Sequence, residues 1–489
     1  MSEIIRISKV NEVYIKLDCS ASLLYEISDR YTFMVPNAKF HPLVKNKVWD
    51  GKIRLLGLNT RLIYAGLLQS ILNFAKERDY EVEFESDDFY DHEFSITETE
   101  AFISTLNLPL VPRDYQVSAV THAIRKRRCL LLSPTASGKS LIIYLLCRHY
   151  TLPTLLVVPT VSLVHQMMTD FVSYGYNADK IFTITAGVDK TAKVIMDSGA
   201  NIIITTWQSI YKMPKLWFQP FGIVIGDEAH LFKAKSLTTI MEKLSDTKYR
   251  FGFTGTLDGT ETNQMVLEGL FGAVKKVATT SDLIDQKYLA NLKIKALVLK
   301  YDDLICKAAK GFDYPAEMDF IVRHAGRNKF IKNLTLSLKG NILLLFQYVE
   351  KHGKELHLML TTLAPDRKIF FIHGGIDGEE RESIRTLVET EKNAIIIASS
   401  GTFSTGINIK NLHNIIFASP SKSKIKTLQS IGRGLRRSET KESVTLYDIA
   451  DDLSWKSHKN YTIEHFKERM RMYVEEGFDY KIYKIELKR

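Results

Sequence analysis

The sequence predicts an α/β protein: two tandem parallel-sheet lobes, preceded by a small α+β domain and followed by a helical tail. Three observations carry that expectation. The chain has 489 residues, room for about three domains at roughly 100–200 residues each. Two successive stretches carry short, wholly apolar runs that alternate with helical periodicity, the signature of strands buried on both faces of a layered sheet. Residues 1–105 instead show alternating polarity, as a half-exposed sheet would.

Within 1–105, residues 12–17 alternate, and Asp50-Gly51 signals a tight hairpin because both turn positions favour positive φ. Residues 65–78 read as an amphipathic helix, and the acidic stretch 85–100 as a solvated linker. The first lobe, 106–292, has apolar runs at 129–133, 154–158, 201–205, 221–226 and 249–254. The second, 293–452, repeats the pattern at 342–348, 368–373, 394–399, 414–418 and 444–448. Residues 453–489 are expected to form a basic helical extension.

Composition narrows the function class. A hydrophobic fraction of 45% and a charged fraction of 25% are those of an ordinary globular chain. The net charge of +10 suits a polyanionic partner. The four cysteines, Cys19, Cys129, Cys147 and Cys306, form neither a CxxC pair nor a zinc spacing, so buried free thiols are expected. The N-terminus lacks the apolar core of a signal peptide, and no apolar run nears the ~20 residues of a membrane span. A cytoplasmic site of action is expected, in the host cell if a phage encodes the chain.

Three motifs carry chemistry. Ser133-Pro-Thr-Ala-Ser-Gly-Lys-Ser140 follows an apolar run and opens a helical segment, the setting of a phosphate-binding loop. Thr135, Ala136, Ser137 and Gly138 would supply the cradle. Lys139 would reach the terminal phosphates, and the Ser140 hydroxyl would bind Mg²⁺. The strict pattern wants Gly where Ser133 stands, so only the GKS half matches. Next, an apolar run ends in Asp227-Glu-Ala-His230. Asp227 can hold the metal's water shell, and Glu228 can act as general base on the attacking water. Finally, Gln429-Ser-Ile-Gly-Arg-Gly-Leu-Arg436 places Arg433 and Arg436 three apart, on one face if helical. Two guanidinium groups there suit stabilisation of γ-phosphate charge.

In this order the motifs resemble those of superfamily 2 helicases, over about 110–450. Tyr115-Gln116 resembles the adenine-reading Q motif, and motif I matches apart from Ala136, where the family usually has Gly. Val157-Val-Pro-Thr160 with Leu163 and Gln166 is similar to motif Ia, and Thr205-Thr-Trp-Gln208 to Ib. Asp227–His230 resembles motif II, and Thr254-Gly-Thr256 motif III. His373-Gly374 begins the usual second-lobe signature. Ser404-Thr-Gly-Ile-Asn-Ile409 is similar to motif V, with Gly406 a nucleotide contact and Asn408 where many members have Asp. Within the superfamily, Trp49-Asp-Gly-Lys-Ile-Arg-Leu-Leu56, Trp217-Phe218 and Phe403 resemble the phage recombination helicases of the UvsW type.

The resemblance implies RecA-like lobes holding ATP and Mg²⁺ between them, and an N-terminal domain that helps grip duplex. It implies 3′ to 5′ movement along one strand and action on branched or forked DNA: branch migration, fork regression and R-loop dissociation. By motif position, Thr160, Thr206, Ser400, Thr402 and Thr405 would contact strand phosphates, and Thr254 and Thr256 would relay between nucleotide and strand. Trp207 is expected to pack as core rather than stack on a base. Lys45, Lys47, Lys52 and Arg54 form either a solvated face or a duplex contact, and Lys422, Lys424 and Lys426 pose the same choice. The motifs are also compatible with an RNA helicase, or with an ATP-binding clamp without turnover. A nuclease-linked restriction motor is disfavoured, since neither flank shows a nuclease centre. One chain holds both halves of the ATP site, so a monomer suffices.

Overall fold

The computed structural model describes residues 3–35, 38–86, 91–257, 260–406, 409, 411–419, 423–435 and 443–487; the side chains of 233, 261, 262, 378, 379, 382, 404–406, 424–426, 429 and 433 are outside the description. By internal contacts the chain divides into two compact units. One comprises Met1–Ser133 and Gly138–Val277, the other Pro134–Ser137 and Ala278–Arg489.

The first unit opens with a four-stranded sheet built from β1 (Ile4–Lys9), β2 (Tyr14–Asp18), β5 (Leu62–Tyr64) and β6 (Glu81–Phe84), in the order β5-β2-β1-β6. Helices Ala21–Arg30 and Leu68–Glu77 bury Leu23, Ile27, Ile71 and Phe74. A separate hairpin, β3 (Thr32–Met34) with β4 (Lys52–Arg54), is antiparallel. Asp50-Gly51 sits beside β4 at the end of a long excursion, so the expected two-residue turn is corrected. Gly51 alone of the pair has positive φ, +78°. The acidic stretch is also only partly a linker: Ser95 and Glu98 form a capping box that starts helix Ile96–Ser104.

The remainder of this unit is a seven-stranded parallel sheet, ordered β13-β7-β12-β11-β8-β10-β9. Its strands are β7 (Arg128–Leu132), β8 (Thr154–Val158), β9 (Ile181–Ile184), β10 (Ile202–Thr206), β11 (Ile223–Asp227), β12 (Tyr249–Thr254) and β13 (Val274–Lys276). The central strands are buried along their length, as their apolar runs require.

The small domain is fused to this sheet by shared core. Ile5, Ile7 and Leu67 belong to one apolar cluster with Leu130, Leu267 and Phe271. Tyr14 and Tyr64 stack at 5.2 Å, and both donate to Glu242, at 3.1 and 2.8 Å. Burial, followed by the Glu242 carboxylate, pushes the Tyr14 phenol up to about 12, so it remains a donor. Buried Arg250 caps three turns at once, donating to the carbonyls of Leu270, Leu244 and Met241 at 3.1, 2.8 and 2.6 Å.

The second unit holds another seven-stranded parallel sheet, ordered β16-β17-β15-β18-β19-β14-β20. Its strands are β14 (Asn291–Lys300), β15 (Ile342–Phe346), β16 (Ile369–Ile372), β17 (Ile395–Ser399), β18 (Asn414–Phe417), β19 (Ser443–Asp452) and β20 (Tyr480–Glu486). Apart from Pro134–Ser137, this unit runs from Ala278, ahead of the expected 293. The C-terminal segment holds the expected helix, and the sequence pattern predicts no strand after it. Helix Tyr461–Glu475 is followed by β20, which adds to the sheet edge beside β14. Glu317 caps that helix, accepting from Tyr461 N at 2.9 Å and Thr462 N at 2.7 Å. Arg469 is buried against Asp448 at 2.9 Å, and Tyr473 donates to the same carboxylate. Lys467 and Arg471 pair with Glu464 and Glu468, so the helix presents little free positive charge. Three cysteines are buried free thiols as expected, whereas Cys19 is half-buried. No described helix is long and apolar enough to cross a membrane.

Candidate active site

Strand register brings the first-unit motifs into one row. Leu132 at the end of β7 pairs with Thr254 at the end of β12, and Phe253 pairs with Asp227 at the end of β11. Parallel strands direct these ends to one edge of the sheet, where open α/β sheets place ligands. The Ser133 N–H donates to the Thr254 carbonyl at 2.8 Å and extends that register by one residue.

The loop after β7 turns through positive φ at Ala136 (+68°) and Gly138 (+79°). Within it the Ser137 hydroxyl donates to the Pro134 carbonyl at 2.7 Å. Helix Lys139–Tyr150 follows, and a helix N-terminus directs backbone N–H groups toward an anion. Gly138 is required by close approach as well as by φ: a Cβ there would lie 2.3 Å from Gln116 Nε2. Gln116 is buried, and its Oε1 accepts from the Arg113 N–H at 2.9 Å, capping helix Asp114–Lys126. The expected adenine reader is thus packed against the phosphate loop.

Lys139 Nζ lies 3.3 Å from Glu228 Oε1 and 4.0 Å from Asp227 Oδ1. Glu228 itself has left-handed backbone, φ +51°, a costly conformation for a non-glycine residue and one that clusters at functional sites. Its N–H donates to Asp227 Oδ1 at 3.0 Å. Burial alone would raise the Glu228 carboxyl, but the Lys139 ammonium and His230 outweigh it and hold the group below its ordinary range. Asp227, more enclosed, is shifted upward by burial despite Lys139. His230 Nδ1 is 3.3 Å from Glu228 Oε2 and 3.0 Å from Thr254 Oγ1. Thr254 Oγ1 in turn donates to the Thr256 carbonyl at 3.0 Å. One chain of polar contacts therefore runs Lys139, Glu228, His230, Thr254, Thr256.

Ser140 Oγ is 2.9 Å from Tyr174 OH, and the Tyr174 carbonyl accepts from Tyr144 OH at 3.0 Å. Tyr174 follows helix Val161–Ser173, and no local motif marks it. His230 was visible within its motif, but its bridge to Thr254 was not. Ser140 adjoins Lys139, whose ammonium reaches Asp227 and Glu228, and hydroxyl and carboxylate oxygens are the donor types that Mg²⁺ takes. A full protein cage is not present: no group of three or more His, Cys, Asp or Glu that could hold a metal occurs among the described residues.

The remaining expected positions divide. Thr160 caps helix Val161–Ser173, and Thr206 Oγ1 contacts Ser209 Oγ at 3.1 Å. Ser400 donates to the Phe346 carbonyl, and buried Thr402 contacts Ser399, so both hydroxyls are engaged locally. Trp207 is half-buried, packs against the apolar cluster and meets Tyr211 edge-on at 5.9 Å. Gly406 ends helix Ser400–Gly406. Gln429 and Arg433 lie on helix Lys424–Gly434. Arg436, Asn408 and Lys422 lie outside the described residues, as do the side chains of Thr405, Lys424 and Lys426.

Three family descriptions match the chain: the res subunit of type III restriction enzymes over residues 109–259, the N-terminal domain of DNA helicase UvsW over 5–85, and the helicase conserved C-terminal domain over 326–438. The chain is similar to the ATP-dependent DNA helicase uvsW of Enterobacteria phage T4, 34% identical over 490 residues and covering 96% of each. It is also similar to the DNA 3'-5' translocase XPB2 of Sulfurisphaera tokodaii, 24% identical over 72% of this chain and 85% of that relative. The crystal structure of T4 UvsW matches over 100% of both chains, with 33% identity and a TM-score of 0.53.

Proposed function

The chain belongs to the UvsW-type helicases of superfamily 2, and from that premise we propose that it spends ATP to remodel branched DNA. Helicase or translocase activity on nucleic acid is the family's property. The DNA preference is supported by relatives whose names specify DNA. The single observation that carries the ATPase proposal is Lys139 held between Asp227 and Glu228 at the end of β11.

That arrangement couples phosphate binding to base strength. An ammonium shared by two carboxylates can exchange them for a more highly charged phosphate. Once Lys139 turns to phosphate, Glu228 loses the cation that most lowers its proton affinity, and it becomes a better acceptor for the proton of an attacking water. His230 keeps the carboxylate aimed meanwhile, through its 3.3 Å contact. Mg²⁺, held by Ser140 and Asp227, would neutralise developing phosphate charge. Thr135, Ala136, Ser137 and Gly138 would line the phosphates, and Gln116 and Gly406 would contact the nucleotide. Gln429, Arg433 and Arg436 are proposed to act on the γ-phosphate. Alanine at Arg433 or Arg436 should abolish turnover while nucleotide binding persists.

The branched-DNA proposal is tested with matched substrates of one sequence: single strand, duplex, fork, four-way junction and R-loop. Strand separation should be fastest on the fork, junction and R-loop. Equal rates on a plain tailed duplex would contradict it.

A further inference from the structure

The described residues between β3 and β4, 35 and 38–51, leave the N-terminal sheet as a separate knob. Val35 N–H donates to the Gly51 carbonyl at 2.8 Å and closes its neck. His41 Nδ1 accepts from Leu43 N–H at 3.2 Å, and Val48 N–H donates back to the Leu43 carbonyl at 2.9 Å. Trp49 braces the base, donating from Nε1 to the Lys52 carbonyl at 2.9 Å and meeting His41 edge-on at 5.5 Å. Gly51 permits this closure, since a Cβ there would lie 2.8 Å from the Ala38 methyl.

The knob presents apolar and cationic side chains outward, with Lys39 Nζ 5.1 Å over the Phe40 ring. Phe40 is 63% exposed, Leu43 46% and Val48 72%. Isolated exposed apolar residues are ordinary, but these three share one small excursion with exposed Lys39, Lys45 and Lys47, and exposed Lys52 opens β4 beside it. Lys39, Lys45, Lys47 and Lys52 pair with no carboxylate among the described residues, and the charge of Asp50 is taken by Arg54 at 2.5 Å. Protein interfaces deplete lysine, so exposed apolar residues sharing one short segment with lysines point to nucleic acid instead. Phosphates answer the lysines, and base faces answer the apolar side chains. In continuous duplex each base face is covered by its neighbour. Where strands part, the face of the last pair is open.

We propose that this knob seats at the branch point of DNA, with Phe40 and Val48 against the open face of the last base pair and Lys45 and Lys47 on the flanking phosphates. The proposal rests on the DNA-remodelling reading above and assigns the junction contact within it.

The test uses the full chain carrying Phe40→Ala with Val48→Ala, or Lys45→Gln with Lys47→Gln. All four side chains are exposed, and unchanged thermal unfolding serves as the folding control. Anisotropy should show fork affinity about tenfold weaker for the apolar pair, with affinity for single strand and single-strand-stimulated ATPase within about twofold. A 2-aminopurine at the branch point should change its emission on binding wild type and not the apolar variant. The lysine pair should lower the salt slope of fork binding by about two. Unchanged fork affinity, or equal losses on fork and single strand, would overturn the proposal. So would a change in self-association alone, which would make the knob a contact between copies. If wild type hydrolyses no ATP, the motor reading fails while the fork-binding arm still reads the knob.

Discussion

Alanine at Gly138 is expected to disturb the phosphate loop through one neighbour, Gln116, and the size of the effect follows from the geometry. Gly138 sits at φ +79°, ψ 40°, where a side chain costs about 1–2 kcal/mol. The added methyl would lie 2.3 Å from Gln116 Nε2, so the amide must swing away. Swinging is cheap for an exposed amide, but Gln116 is 3% exposed and its Oε1 caps the Arg113 N–H. Losing that cap costs about 1 kcal/mol, for a total of roughly 2–3 kcal/mol. Gln116→Ala forfeits the cap beforehand, so adding Gly138→Ala to it should cost only the backbone part. The cycle of four proteins should therefore show a coupling of about 1 kcal/mol. Urea unfolding followed by tryptophan emission suits the assay, because Trp49, Trp207 and Trp217 all lie in the first unit and only Trp455 in the second. Faster hydrogen exchange at the Arg113 amide in either single variant is the local check. Additive costs within about 0.3 kcal/mol, with Arg113 exchange unchanged, would refute the contact.

Arg250→Leu should destabilise the first unit by on the order of 3–5 kcal/mol, since three buried carbonyls lose their donor at once; a loss under about 1 kcal/mol in urea unfolding would mean that water replaces the guanidinium. Tyr174→Phe removes the hydroxyl 2.9 Å from Ser140 Oγ, and should raise the Mg²⁺ concentration needed for tight binding of a fluorescent ATP analogue several-fold. Metal-free binding of that analogue should not change; a parallel loss of both would make Tyr174 a packing residue only. Burial and nearby Arg327 push the His352 imidazole down to about 3, while an unfolded imidazole protonates near pH 6.5. Between those values the unfolded chain holds one more proton, so stability rises with pH by about 1.4 kcal/mol per unit and is full above pH 6.5. His352→Gln should flatten that slope in unfolding measured from pH 4 to 7, and an unchanged slope would contradict the assignment.

Much of this architecture was legible because burial on both faces leaves an apolar run. β8 and β12 fall on their predicted residues, and most other central strands within two. The missed strands lie at or near sheet edges, where one side meets solvent and polar residues are tolerated. β13 reads Val-Lys-Lys, and β20 is exposed at nearly every position. β14, next to β20, alternates through its first half and so lacks a continuous apolar run. Lys139, Asp227 and Glu228 were legible because each is fixed by a short local motif at a strand end. Tyr174 was not, since helix packing alone brings it to Ser140. The knob's lysines were visible as a cluster, but the exposure of Phe40 and Val48 depends on how the excursion folds, which Asp50-Gly51 misleadingly suggested was a tight turn.

The central claim is that Lys139 and Glu228 serve an ATPase driven by DNA. Phosphate release by the full chain, measured with and without forked DNA, tests it most directly. The account predicts release strongly stimulated by the fork, and abolished by Lys139→Ala and by Glu228→Gln while both variants still bind the fork. No release from the wild-type chain, or release that survives either substitution, would contradict it.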